Sequence, residues 1–88
     1  MHAVIRTYSG KGAKELFDLL EKSKTDVESL LRSVKGFVSY SMIRTSDGGS
    51  TVTVCEDKAG TDDSIQKAKD IGASAPKVSE GPVVLHLK

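Results

Sequence analysis

Among its 88 residues the chain has one cysteine, no tryptophan, no asparagine and two histidines. A lone Cys55 permits no internal disulfide and excludes a zinc-type cysteine cluster, which fits a reducing cytoplasm. No apolar run approaches the ~20 residues of a membrane span. The start, Met1-His2-Ala3-Val4-Ile5-Arg6, puts an arginine where a signal peptide needs an apolar core. Neither sign of charge dominates: 13 basic and 12 acidic side chains leave a formal net charge of +1. The signs are interspersed, and no basic stripe carries interleaved aromatics, so nucleic-acid binding is not expected. Lys11, Lys14, Lys22 and Lys24 make a local basic excess, but Glu15, Asp18, Glu21 and Asp26 interrupt it. That is the pattern of a solvated helix face.

What is present is periodicity, concentrated in segments despite a modest 38 % apolar content. His2 to Tyr8 alternates as a strand, with Ala3, Ile5 and Thr7 on one face and His2, Val4, Arg6 and Tyr8 on the other. Ser9-Gly10-Lys11-Gly12 is a turn, with Ser9 as its cap. From Gly12 to Val34 the period becomes helical. Leu16, Leu20, Val27, Leu31 and Val34 form a stripe that Phe17 and Leu30 widen. Ser23-Lys24-Thr25 is weak, but the stripe keeps its phase across it and predicts one continuous helix, stopped at Gly36.

Phe37 to Thr45 alternates again: Phe37, Ser39, Ser41 and Ile43 oppose Val38, Tyr40, Met42 and Arg44. Ser46-Asp47-Gly48-Gly49 makes a hairpin, and Thr51 to Glu56 is the return strand. It sets Val52 and Val54 against Thr51, Thr53 and Cys55. A second helix starts with a cap at Thr61 or Asp62 and carries a thin stripe of Ile65, Ala68 and Ile71 before Gly72 and Pro76 stop it. Pro82 opens a last strand, Val83 to Leu87.

This βαββαβ order uses nearly every residue and predicts a single domain over residues 1–88. Two right-handed crossovers make it an α+β, ferredoxin-like sandwich: a four-stranded antiparallel sheet of order 4-1-3-2, with two helices on one face. The last and first strands are then neighbours, which brings His86 close to His2. A chain this short buries only about 60–65 % of its unfolded surface. A second copy covering the bare sheet face is the natural remedy, so a homodimer is expected.

The run Cys55-Glu56-Asp57-Lys58-Ala59-Gly60-Thr61-Asp62-Asp63-Ser64 resembles the "E-D-x-A-G" segment, with a serine four positions on, of small bacterial proteins of the antibiotic biosynthesis monooxygenase-like superfamily. Lys35-Gly36-Phe37-Val38-Ser39-Tyr40 resembles that group's "P-G-F-x-x-Y" start of the second strand, and Val4-Ile5-Arg6 with Tyr8 also fits. The likeness runs through about Ala68. It implies a dimeric α/β barrel, paired sheet to sheet, with a cavity between sheet and helices. The superfamily includes cofactor-free monooxygenases, haem degraders and members of no known activity. Its catalytic members use an asparagine on the first strand and a tryptophan near the end of the third. Those positions fall near Thr7 and Cys55 here, and this chain has neither residue type. Haem degraders carry a ligating histidine on the second helix, and Ser64 to Ala75 has none. The resemblance therefore transfers fold and dimer but no catalytic role.

Each chemical candidate has a plainer reading. His2 and His86 make at most half of a metal site, since stable sites want three or four ligands, so no metal and no cofactor are expected. Cys55 lacks a base beside it, and Glu56 disfavours a thiolate, so it reads as a packing residue. Tyr40 and Arg44, with Tyr8, are placed either to orient a polar aromatic ligand or to form a dimer rim. Gly10, Gly12, Gly48 and Gly49 match no phosphate loop and serve turns. A thin second helix over Thr51, Thr53 and Cys55 leaves space beneath it, whereas Val52 and Val54 on that side close the space; both parities remain open.

The pocket candidates are thus Thr7, Tyr40, Arg44 and Cys55. The expectation is a cytoplasmic bacterial homodimer that binds a small molecule without catalysing its conversion. The alternatives are a cofactor-independent monooxygenase or related enzyme on a small aromatic compound, and a regulatory ligand-binding domain of the ACT type. Acylphosphatase shares the element order. It needs an arginine-bearing phosphate loop that Ser9-Gly10-Lys11-Gly12 does not supply, and an asparagine that is missing.

Overall fold

The alternating segments do become strands and the stripes helices. The computed structural model describes residues 1–10, 12–70 and 77–87, with the side chains of 68–70 left aside. In chain order the elements are β1 (His2–Ser9), α1 (Ala13–Lys22), α2 (Lys24–Arg32), β2 (Phe37–Thr45), β3 (Gly48–Cys55), α3 (Lys58–Asp70) and β4 (Lys77–Pro82). The sheet runs β2-β3-β1-β4 with every neighbouring pair antiparallel, which is the order expected of a ferredoxin-like α+β fold.

Register fixes the faces. Met42, Thr51, Arg6 and Val78 form one row across the sheet, and Tyr40, Thr53, Val4 and Glu80 the next. Val4, Arg6, Tyr8, Thr51, Thr53 and Cys55 are all buried beneath the helices. The parity left open by the sequence is therefore the one with threonines under the helices. Ile5 and Ile43, on the opposite face, stay 44 % and 49 % exposed.

The core is split into small clusters. Tyr8, Ala13 and Phe17 pack with Leu16 and Met42 near the hairpin end. Leu31, Val34 and Cys55 pack with Val27, Phe37 and Tyr40 at the other end. Glycine makes two close approaches possible. A methyl group on Gly49 would overlap the Phe17 ring, and one on Gly60 would overlap the Lys35 carbonyl and Cys55. The first lets α1 sit down on β3, and the second lets α3 do the same.

Several expectations need correction. The long helix is broken at Ser23, whose φ of −102° and ψ of 27° leave the helical region. Hydrogen bonds continue on both sides, Ser23 N–H to Leu19 O at 3.0 Å and Val27 N–H to Ser23 O at 2.9 Å, so the break is a bend. Low helix propensity at Ser23 and Thr25 allows it. It lets α1 cover β1 and β3 while α2 turns over β2. The start of α1 is also uncapped by a side chain: Gly12, not Ser9, holds the cap position.

The next helix starts earlier than expected. Asp57 accepts the Gly60 N–H at 3.2 Å and caps α3, which places Thr61 inside the helix. Ile71, Gly72 and Pro76 lie outside the described residues. β2 carries a bulge between Phe37 and Ser39. An extra residue there reverses the alternation, so Phe37 joins Tyr40 and Met42 on the helix side instead of opposing them.

Finally, β4 ends at Pro82 rather than opening there. His2 pairs across the sheet with Cys55 and Pro82, and Val83 N–H closes the ladder on Met1 O at 3.0 Å. Pairing partners outweighed the strand propensity of Val83 to Leu87. His86 lies beyond the sheet, and the expected His2–His86 neighbourhood does not form. Val84, Leu85 and Leu87 in that segment are exposed.

Candidate functional site

The bend at Ser23 and the bulge at Val38 together open a groove between α2 and β2. Its volume is about 670 Å³. Val27 and Leu31 from the helix and Phe37, Tyr40 and Met42 from the strand supply an apolar floor. Glu21, Lys24, Glu28 and Arg32 stand along the helix side. Arg32 Nε donates to Glu28 Oε1 at 3.1 Å, one turn apart on an exposed surface. An apolar floor with a few charged groups at its rim is the usual composition of a small-ligand site.

Beneath α1 and α3 the sheet has a polar centre. Arg6 is 5 % exposed, and its Nη2 donates to Ser64 Oγ at 3.3 Å. Ser64 Oγ in turn donates to Thr61 O at 2.7 Å. Thr51 and Thr53 are 1 % and 0 % exposed; the Thr53 hydroxyl has no hydrogen-bond partner among the described residues, and the Thr51 hydroxyl has only the Tyr40 phenol beside it. The Nε of Arg6 is also buried without one. The Tyr40 phenol reaches from the groove floor toward this cluster, within electrostatic range of Tyr8 and Arg6 and facing Thr51. Burial is the main cause that pushes its pKa above the usual 10.0, with Tyr8 adding to the rise.

The sequence-predicted candidates separate. Tyr40 lines the groove. Arg44 sits on an exposed stretch of β2, where its guanidinium pairs with Asp18 at 2.6 Å and Glu21 at 3.1 Å and lies 5.3 Å over the Phe17 ring. It ties α1 to β2 rather than facing the groove. Thr7 pairs with Ser50 and Lys77 on the sheet face away from the helices, because Arg6 and Tyr8 take the inner positions. Cys55 is fully buried against Leu31 and Val34. Burial raises its thiol above 9.0, with Asp57 and Asp63 adding to the rise, so a nucleophilic thiolate is disfavoured.

The residue missed by reading the sequence is Arg6. A partial signal was present: Arg6 is in step with Val4 and Tyr8 on β1, so it is buried if those two are. Ser64 had no such signal, since α3 was expected to pack through Ile65. His2 lies 3.8 Å from Glu80, which also approaches Lys58 at 3.5 Å. Among the described residues no cluster of three or more His, Cys, Asp or Glu could hold a metal ion. Among them, too, no helix is long and apolar enough to cross a membrane.

Comparison with known proteins adds the fold. No family model matches the chain, and no curated protein matches it. Among solved structures, a crystal structure of a single-residue mutant of MhuD, with two manganese protoporphyrin IX bound per active site, superposes with a TM-score of 0.63. Identity is 19 %, and the match covers 99 % of this chain and 97 % of that one.

Proposed function

We propose that this chain is a small-molecule binding protein of the antibiotic biosynthesis monooxygenase-like type, working as a homodimer and lacking catalysis of its own. The observation that carries the reading is the α2–β2 groove, with its apolar floor of Val27, Leu31, Phe37, Tyr40 and Met42. Its size suits a ligand of one or two rings. That MhuD, with a similar fold, holds a planar aromatic ligand supports the same ligand class here. Metalloporphyrin chemistry is not carried over. The groove lining offers no histidine or cysteine, and burial of its one phenol further disfavours a phenolate ligand.

The bare sheet face supports the dimer: Ile5, Ile43, Val52 and Ala3 would be covered by the same residues of a second copy. An ACT-type reading, by contrast, pairs copies through edges and helices. The enzyme reading needs a free base at the groove, and its carboxylates are engaged: Glu21 with Arg44, Glu28 with Arg32.

Titration of isotope-labelled protein with mono- and bicyclic aromatic fragments tests the binding. Amide shifts confined to Val27, Leu31 and residues 37–42 are expected. Shifts scattered over the surface would remove the proposal. Oxygen uptake with dihydroxyaromatics above the protein-free rate would replace it with the enzyme reading. Sedimentation of Ile5→Asp and Ile43→Asp should give monomers; dimers that persist in both would point to an edge pairing.

A further inference from the structure

Among the described residues, a buried charge without a counter-charge marks the centre of this sheet. Arg6 is always cationic, and it is almost fully enclosed. Among the described residues no carboxylate forms an ion pair with it. Among the described side chains, the acids of α3, its cap and β4 are engaged elsewhere: Asp57 with the Gly60 N–H, Asp62 and Glu80 with Lys58, Asp63 with Lys67. An unpaired buried guanidinium is strongly unfavourable, and a single long bond to a serine does not offset that.

The surroundings offer Arg6 neutral hydroxyls, which accept as well as donate, but among the described residues no anion. Thr53 presents an unpartnered, fully enclosed hydroxyl, the Thr51 hydroxyl on the same inner face has only the Tyr40 phenol beside it, and Arg6 Nε is unpartnered too. Ser64 spends its own proton on Thr61 O. The component missing from the set is a small acceptor with one negative charge.

We propose that Arg6, Thr51 and Thr53, with Ser64 and the Tyr40 phenol, form a receptor for the carboxylate of a small aromatic acid. A planar carboxylate matches the guanidinium fork, and one cation calls for a monoanion rather than a phosphate dianion. The aromatic part belongs in the groove, because Tyr40 and Met42 on its floor are the cross-strand neighbours of Thr53 and Thr51. The assignment of that aromatic part rests on the groove being a binding site; the carboxylate receptor itself does not.

Benzoate and its neutral analogue benzamide test the proposal on the full-length chain. The readouts are the Arg6 side-chain Nε–H resonance, the groove amides and the melting temperature. Benzoate should move the Arg6 resonance and raise the melting temperature well beyond benzamide, which should leave the Arg6 resonance in place. Arg6→Met should weaken benzoate at least about tenfold, as loss of a charge-assisted pair predicts. Without ligand it should melt no lower than the wild type, since an uncompensated charge is gone. Thr53→Val covers the case where Arg6→Met fails to fold. It should be as stable as the wild type or more so, and should bind benzoate more weakly.

Equal responses to benzoate and benzamide would overturn the receptor and leave the groove reading standing. A moving Arg6 resonance with silent groove amides would uphold the receptor and remove the groove. A Thr53→Val variant with unchanged benzoate affinity and lowered stability would sink the receptor.

Discussion

Gly49→Ala isolates one contact between sheet and helix. Gly49 does not have a positive φ, so alanine meets no backbone penalty there. The added methyl group instead runs into the edge of the Phe17 ring. Phe17 is fully buried, packs edge-on to Tyr8 with ring centroids 6.2 Å apart, and lies under the Arg44 guanidinium. It cannot yield without disturbing both neighbours. Overpacking of this kind costs about 1–3 kcal/mol. In an exposed strand the same change would gain about 0.5–1 kcal/mol, so the sign itself reports the clash.

Phe17→Leu removes the ring edge and its aromatic contacts, at about 1–2 kcal/mol. In the double variant the methyl group enters space the ring has left. The second substitution should then be close to neutral, and the pair should be non-additive by about 1–2 kcal/mol. Urea unfolding followed by circular dichroism reads this directly, provided the denaturant slopes agree across the cycle. Costs that simply add, within about 0.5 kcal/mol, would mean that something other than Phe17 excludes a side chain at position 49.

Three further outcomes are expected. The Arg44 hydrogen bond holds Glu21 below its usual 4.5, so the contact stabilises the fold above that pH and is lost as pH falls through the lowered value; melting curves of wild type and Arg44→Met should converge on acidification, by a small amount because both groups are exposed. Burial holds Tyr40 above 10.0, so it favours the fold below that pH and its contribution fades as pH rises through the raised value; ultraviolet titration should show one tyrosine ionising late, and Tyr40→Phe should flatten the alkaline loss of stability. Cys55, enclosed and raised above 9.0 mainly by burial, should react with a thiol reagent only as the chain unfolds; labelling at a rate independent of added urea would contradict its placement.

The fold was legible because it rests on periods. β1, β3 and the α1–α2 stripe each keep a clean alternation or a clean helical spacing, and topology rules leave few ways to join them. The errors fall where single residues break the period. Nothing in Phe37-Val38-Ser39 announces a bulge, yet the bulge decides that Phe37 and Tyr40 share a face. The end of the sheet was misread because Val83 to Leu87 has the stronger strand composition while Lys77–Pro82 has the partner. The site was less legible. Of the four candidates Tyr40 lines the groove, while Arg44, Thr7 and Cys55 lie in an ion pair, on the outer sheet face and in the core. Arg6 shares a strand face with Val4 and Tyr8 in the sequence, but alternation alone does not say which face is buried.

The groove and the polar centre weaken the same small core that should hold the domain together. Val4 and Cys55 are apolar on the inner face of the central strands, but Arg6, Thr51 and Thr53 between them are not. A chain of 88 residues has little surplus with which to offset this. Two sources of stabilisation remain, a second copy on the outer face and a ligand on the inner one, and mass action separates them. Dilution should lower the melting temperature if the outer face is shared between copies. A carboxylate ligand at a hundredfold excess over its Kd should add about 2.7 kcal/mol at any protein concentration. Because the two faces lie on opposite sides of one sheet, the effects should add. Coupling between them would show that Thr51 and Thr53 sense the packing of Val52 and Val54, their neighbours along β3.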